Sequence, residues 1–287
     1  MTSTPSPARA PFQLGRESVA PGTRRQIDVP VARLYTHTPL NVPVEVVHGR
    51  REGPVLLVCG GIHGDEINGV EIVRRLLHVK AIAALRGTLI AVPVVNVFGF
   101  LQQIRYLPDR RDLNRCFPGS ESGSLGGRIA ALFCEQVVDH ATPVLTYEAG
   151  EALRFDEWAI APGVSGVLRV MRRLGMLTAA QRRRPASAEV ANGSSWARAP
   201  IDGILRPGVR LGARVAKGDL LGWVAGPFGN NPGEVKAVAD GIVIGMTRLP
   251  LVNEGEALFH IARFDAIDEA ETAVESFQSL LTLPPAL

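Results

Sequence analysis

The chain's hydrophobic pattern changes character at residue 54. Before it, from about Gln26 to Val47, apolar residues alternate with polar ones: Ile27, Val29 and Val31, then Val42, Val44 and Val46. That period of two predicts two strands, read as a hairpin at an edge of a sheet. From Pro54 to Cys59 the sequence is PVLLVC, an uninterrupted apolar run that predicts a buried strand. Gly60 and Gly61 end the run and let the backbone turn sharply. His63, Gly64, Asp65 and Glu66 follow. Then Ile67, Val70, Ile72, Val73, Leu76 and Leu77 recur at helical spacing. His63 and Glu66 therefore sit where a strand hands over to a helix, the edge at which open α/β sheets bind ligands.

The same reading extends along the chain. Residues 1–24 are rich in Pro, Ser, Thr and Arg and are expected to be loose. TLIAVPVV, residues 88–95, predicts another strand, with Pro93 at its end or at a sheet edge. Residues 101–119 are polar and turn-rich without a period, and a loop of that length in a folded domain is usually functional or disordered. A helix is predicted over 126–139, with Ile129, Leu132, Phe133 and Val137 on one face. A short strand is predicted over 143–147, ending at Glu148, and a long helix over 155–174. Residues 177–198 read as a linker. Short apolar pieces separated by Gly, Pro and Asn turns, up to about Ala262, predict a small all-β domain. The acidic stretch 265–281 predicts a closing helix. The expected organisation is a loose segment 1–24, an α/β domain 25–176, a linker 177–198, and a small β domain with a C-terminal helix over 199–287.

Composition narrows the partners. The chain has 287 residues, 46% hydrophobic and 21% charged, as in ordinary globular proteins. Its net charge is only +3, and its one tight basic cluster, Arg182–Arg184, has no aromatic platform beside it. Nucleic acid is not an expected partner. No apolar run reaches membrane-spanning length, and the N-terminus lacks the apolar core of a signal peptide. Cys59, Cys116 and Cys134 form no spaced framework, which fits a reducing compartment. The reading is a cytoplasmic protein.

Three places carry chemistry. His63 and Glu66 are both good zinc donors, and their three-residue spacing lets them face one point; a helix cap built on Asp65 and Glu66 explains the same residues without a metal. The loop around Arg105, Arg110, Arg111, Asp112, Asn114 and Arg115 has the composition of a carboxylate grip, or of a solvated basic loop. Glu148, at the end of a predicted strand, is placed as a general base, or as one half of a surface ion pair with Arg154.

Together, GGIHGDEINGVEIV, RYLPDRRDLNRCFPG and LTYEAGEALRFDE resemble the succinylglutamate desuccinylase and aspartoacylase family, zinc hydrolases related to the M14 carboxypeptidases. The pieces occur in the family's order, and the small β domain matches the family's second domain. The resemblance implies an α/β fold with a zinc-carboxypeptidase-like mixed sheet, helices on both faces, and a small barrel- or sandwich-like all-β domain. It implies one zinc ion per chain on His63 and Glu66. It implies Arg105 polarising the scissile carbonyl, Asn114 and Arg115 gripping the substrate's carboxylate, and Glu148 as general base and acid. The activity implied is hydrolysis of the amide, or a related ester, of an N-acyl amino acid.

One departure stands out. The family's third zinc ligand is a His in an Asp-Leu-His-Thr segment, and that segment is absent here. His140 alone lies in the interval, at the end of the predicted 126–139 helix, and the pattern reads as an internal deletion near 142–143. Three readings follow: His140 is a replacement ligand, or the chain is an impaired relative that binds a small carboxylate without turnover, or the sequence is a defective or truncated version of an active relative. GEVKAVADGIVIG also resembles half of a biotinyl or lipoyl carrier. Lys236 lacks the flanking Met residues and hairpin tip of such carriers, so the domain is read as a cap or an oligomer interface.

Overall fold

A computed structural model of the protein describes residues 9–33, 37–137, 143–179 and 189–281. The chain divides into two units, residues 1–182 and 183–287. No helix among the described residues is long and apolar enough to cross a membrane.

The first unit begins with a small hairpin, β1 (Phe12–Leu14) and β2 (Glu17–Val19). It continues into β3 (Thr23–Arg33), β4 (Pro39–His48), β5 (Arg51–Cys59), α1 (Ile67–His78), β6 (Arg86–Val92), α2 (Val97–Gln102), α3 (Leu125–Val137) and α4 (Glu157–Arg173). One mixed sheet runs β3-β4-β6-β5. β3 and β4 form the expected antiparallel hairpin, β4 is antiparallel to β6, and β5 is parallel to β6. β6 is buried on both faces, which explains its continuous apolar run. Ile90 and Val92 join Val42, Val44, Val46 and Ile27 against Ile129 and Ala130 of α3. Leu89 and Ala91 join Val47 on the other face, against Val73, Leu76 and Leu77 of α1 and Met171 of α4. Each fully buried aliphatic chain of this kind contributes roughly 1.5–3 kcal/mol. The mixed sheet with helices on both faces is the architecture the sequence predicts.

Four expectations for this unit need correction. Residues 12–19 are a hairpin with Leu14 and Val19 buried, and Arg9 ties the chain down by donating to the carbonyls of Gly49 and Gly87 at 2.8 Å. The first eight residues lie outside the described ones. β5 is not the buried strand expected: it lies at the sheet edge, and Val55 is 54% exposed. Within 101–119, Leu113–Arg115 form a 3₁₀ turn, and α2 starts before the loop. Residues 143–147 form no strand; Val144 and Leu145 are 75% and 83% exposed. An extended segment needs a neighbouring strand to satisfy its backbone, and none of the described strands pairs with this one. Pro93 falls where it is tolerated, just after β6 ends.

The second unit contains β7 (Gly193–Arg198), β8 (Gly203–Pro207), β9 (Arg214–Val215), β10 (Leu220–Ala225), β11 (Gly233–Lys236), β12 (Gly241–Met246), β13 (Leu251–Val252), β14 (Ala257–Arg263) and the predicted closing helix, α5 (Ile267–Leu281). Its two antiparallel sheets run β11-β10-β8-β13 and β7-β14-β12-β9. Leu205, Leu221, Val224 and Val235 from the first sheet share one core with Ala197, Val243, Phe259 and Ile261 from the second. β7 corrects the linker expectation: residues 193–198 pair with β14. Lys236 lies on β11, ion-paired with Glu234 at 2.6 Å, and not at a hairpin tip.

Candidate functional site

The handover from β5 to α1 builds the site. Gly60 lies under the α1 backbone: a Cβ there would stand 2.6 Å from Gly69 carbonyl atoms. Gly64 is tighter still, with a would-be Cβ only 1.8 Å from the Gly99 backbone. Both glycines are required by close approach. The turn so compressed places His63 and Glu66 at the mouth of α1. His63 is 5% exposed. α1 itself is pinned to α4 by an ion network: Glu71 accepts from Arg74 and Arg75, and Arg75 also reaches Glu157. These guanidiniums hold the Glu71 carboxyl down at about 2.

His63 Nδ1 faces Glu66 Oε1 at 2.7 Å, and His63 Nε2 faces Asp112 Oδ1 at 2.9 Å. Arg105 closes the ring. Its Nε and Nη2 donate to Asp112 Oδ2 at 3.2 and 3.1 Å, and its Nη1 donates to Glu66 Oε1 at 3.2 Å. Asp112 also caps the turn Leu113–Arg115 by accepting from the Asn114 backbone N–H. Burial tends to raise the Asp112 pKa, but His63 and Arg105 outweigh it and hold the carboxyl below its ordinary range. A carboxylate on one imidazole nitrogen fixes the tautomer, leaving the other nitrogen as the ligand atom. Here both ring nitrogens face a carboxylate oxygen, Nε2 that of Asp112 and Nδ1 that of Glu66, so the tautomer decides which of the two donates.

The structure thus brings together His63, Glu66 and Arg105 of the expected site residues. Asn114 and Arg115 lie on the adjoining turn, exposed, and their backbone N–H groups donate to Asp112. Glu148 is exposed and makes no hydrogen bond or ion pair with His63, Glu66 or Arg105. Its stretch does lead into the site: Leu153 N–H donates to the Asp65 carbonyl at 2.8 Å, and Asn68 holds the Glu151 carbonyl and the Asp156 N–H. His140 lies outside the described residues.

Sequence reasoning missed Asp112 as an organiser and Asn68 as a strap. A signal for Asp112 existed, since a buried imidazole presented to a metal needs a partner for its second nitrogen. Asn68 had none, because its partners lie more than eighty residues away.

The donor chemistry fits a cation. Glu66 and Asp112 bring two carboxylates against one guanidinium, a formal surplus of one negative charge with His63 counted neutral. Asp65 Oδ1 is buried without a hydrogen-bond partner. His63 Nδ1 and Glu66 Oε1 form a nitrogen–oxygen donor pair suited to zinc. Among the described residues no group of three or more His, Cys, Asp or Glu side chains is arranged to hold a metal.

Residues 52–144 match the model of the succinylglutamate desuccinylase/aspartoacylase catalytic domain. The match covers about a third of the chain. It contains His63, Glu66, Arg105, Asp112, Asn114 and Arg115, so the resemblance read from the sequence is borne out where the ring forms. The chain is 36% identical over 110 residues to N-alpha-acetyl-L-2,4-diaminobutyric acid deacetylase of Halomonas elongata. The match covers 38% of this chain and 32% of that protein, so the chain matches about a third of its curated relative's length. In fold the chain resembles a succinylglutamate desuccinylase/aspartoacylase from Rhodobacter sphaeroides, with a TM-score of 0.65 at 21% identity over 84% of this chain and 95% of that one. It also resembles the product-bound ectoine utilization protein EutE (DoeB) of Ruegeria pomeroyi, with a TM-score of 0.66 at 21% identity over 90% and 99%.

Proposed function

We propose that this chain is an amidohydrolase that removes the acyl group from an N-acyl amino acid or a similar small carboxylate. His63 and Glu66 hold a zinc ion in this reading. One observation carries it: the His63–Glu66–Arg105–Asp112 ring, formed inside the segment that matches the family's catalytic domain. The relative from Halomonas elongata, named as a deacetylase of an acetylated diamino acid, supports the substrate class.

A zinc ion bound there supplies Lewis acidity at the scissile carbonyl. The chain's own groups do the rest. Asp112 keeps the His63 ring turned so that Nδ1 is the ligand atom, and it holds the Arg105 guanidinium by two donors. Arg105 Nη1, which rests on Glu66 Oε1, is the donor assigned to the negative charge that develops on the carbonyl oxygen. Asn114 and Arg115 reach for the carboxylate of the substrate; a guanidinium fork suits that group. Glu148 takes the proton from water and returns it to the leaving amine.

A second reading rests on the donor count. His63 and Glu66 are two donors where catalytic zinc usually has three. It takes the chain as an impaired relative that binds a small carboxylate through Arg105, Asn114 and Arg115 without turnover. Elemental analysis of the purified chain and turnover of an N-acetyl amino acid panel separate the two. The hydrolase reading expects zinc that is lost in His63→Ala, and a rate that falls roughly 10²- to 10⁴-fold in Glu148→Gln. Hydrolysis unchanged by Glu148→Gln in zinc-loaded protein removes Glu148 as the base. Binding of the panel with no turnover and no zinc establishes the second reading.

A further inference from the structure

Asn68, in the first turn of α1, is 4% exposed, and both ends of its side-chain amide are engaged by backbone. Its Nδ2 donates to the Glu151 carbonyl at 3.2 Å, and its Oδ1 accepts from the Asp156 N–H at 2.8 Å. One buried side chain thus does for two peptide groups what a neighbouring strand does elsewhere. Gly150 rests on the same amide: its φ is +86°, and a Cβ there would stand 2.3 Å from Nδ2. Glycine alone suits both that backbone and that approach. The Asp65 carbonyl, in the turn that carries His63 and Glu66, takes the Leu153 N–H at 2.8 Å. Glu148 therefore stands between two ties. Before it, the Tyr147 hydroxyl donates to the Ala159 carbonyl at 2.8 Å; after it, Gly150 meets Asn68.

We propose that Asn68 is a positioning residue for Glu148: by holding the backbone at Gly150 and Glu151 against α1, its amide sets where the Glu148 carboxylate stands relative to the His63–Glu66 turn. This rests on the reading of Glu148 as the group that carries the proton. It confines the effect of Asn68 to that step. Arg105, Asn114 and Arg115 stand on a loop pegged separately by Leu107 and Leu113, so the grip on the substrate does not pass through Asn68. A displacement of about 1 Å in a reacting group costs up to roughly 100-fold in rate.

The test is steady-state hydrolysis of the N-acetyl amino acid panel by the full chain, for the parent, Glu148→Gln, Asn68→Asp and Gly150→Ala, the last two singly and combined with Glu148→Gln. Amide exchange over 149–153 is read by mass spectrometry on the same proteins. Aspartate keeps an oxygen for the Asp156 N–H and so leaves the start of α4 held, but it turns an oxygen toward the Glu151 carbonyl in place of the donor. Gly150→Ala breaks the same contact from the loop side, and carries the test if Asn68→Asp does not fold. Positioning predicts kcat lower by about 10- to 100-fold in both, KM within about twofold of the parent, and faster exchange over 149–153. It also predicts double variants no slower than Glu148→Gln alone, since a residue that acts through Glu148 then has nothing left to position. Double variants slowed by the product of the single effects make Asn68 a structural support only, and overturn the proposal. So does kcat unchanged in Asn68→Asp and Gly150→Ala while Glu148→Gln is slow, which leaves the base reading standing. Exchange at the parent's rate in both variants overturns it without reference to turnover. Hydrolysis unchanged by Glu148→Gln, or no turnover in the parent, removes the base reading and the proposal with it.

Discussion

Two stretches lead into the mouth of α1, and the structure holds them in opposite ways. The loop 105–116 is dense in charge, yet it is pegged by apolar anchors: Leu107 and Leu113 are buried in the core shared with α3 and β4. Backbone bonds between Leu107 and Arg111, and the Asp112 cap, close it on itself. The stretch 143–150 is exposed along its whole length and is fastened at its end, where the Tyr147 hydroxyl donates to the Ala159 carbonyl and Gly150 lies against Asn68. The difference teaches that a charged loop becomes a rigid part of a site when a few apolar side chains are driven into the core, because burial fixes the backbone that carries the charges. An apolar segment with no strand to pair with gains no such hold, even with the composition of a strand.

The comparison breaks first at Leu113. Replacing this fully buried anchor by Ala is expected to cost roughly 2–5 kcal/mol of unfolding free energy in urea and to loosen the Asp112–His63 contact with it. A cost under about 1 kcal/mol would mean the loop is held by its charges instead. Asp112→Asn tests the electrostatic side. Under the proposed zinc reading, affinity for the metal is expected to fall about 10- to 100-fold while the fold, followed by circular dichroism, is retained. Unchanged affinity would remove Asp112 from its orienting role.

A smaller effect concerns the ion network that pins α1. The Glu71 carboxyl, held at about 2 by Arg74 and then Arg75, lies below its ordinary 4.5. Its contribution is therefore present above pH 4.5 and is lost as the pH falls toward about 2. Urea titrations across that window should show about 1 kcal/mol of acid-induced loss that Glu71→Gln lacks. A parallel loss in both would place the acid sensitivity elsewhere. The smallest effect sharpens the other side of the comparison. Leu145→Ser, on the exposed stretch, is expected to shift stability by less than about 0.5 kcal/mol; a loss of 2 kcal/mol or more would show that 143–147 is buried in solution.

Much of this was legible in the sequence because it is local. The period-two pattern of 26–47, the apolar run and glycines of 54–61 and the helical spacing of 67–77 each encode an element through the side chains that the element itself must bury. The motifs that resemble the family's, at 60–73 and 105–119, contain His63, Glu66, Arg105, Asn114 and Arg115, and the matched stretch 52–144 covers them. The tertiary structure decided what depends on a neighbour distant in sequence. Asp112 reaches back forty-nine residues to His63, Asn68 reaches forward to Asp156, and β5 lies at an edge, its run of apolar residues half covered. Residues 143–147 read as a strand by composition and fail to become one, because a strand is completed by its partner's hydrogen bonds and not by its own residues.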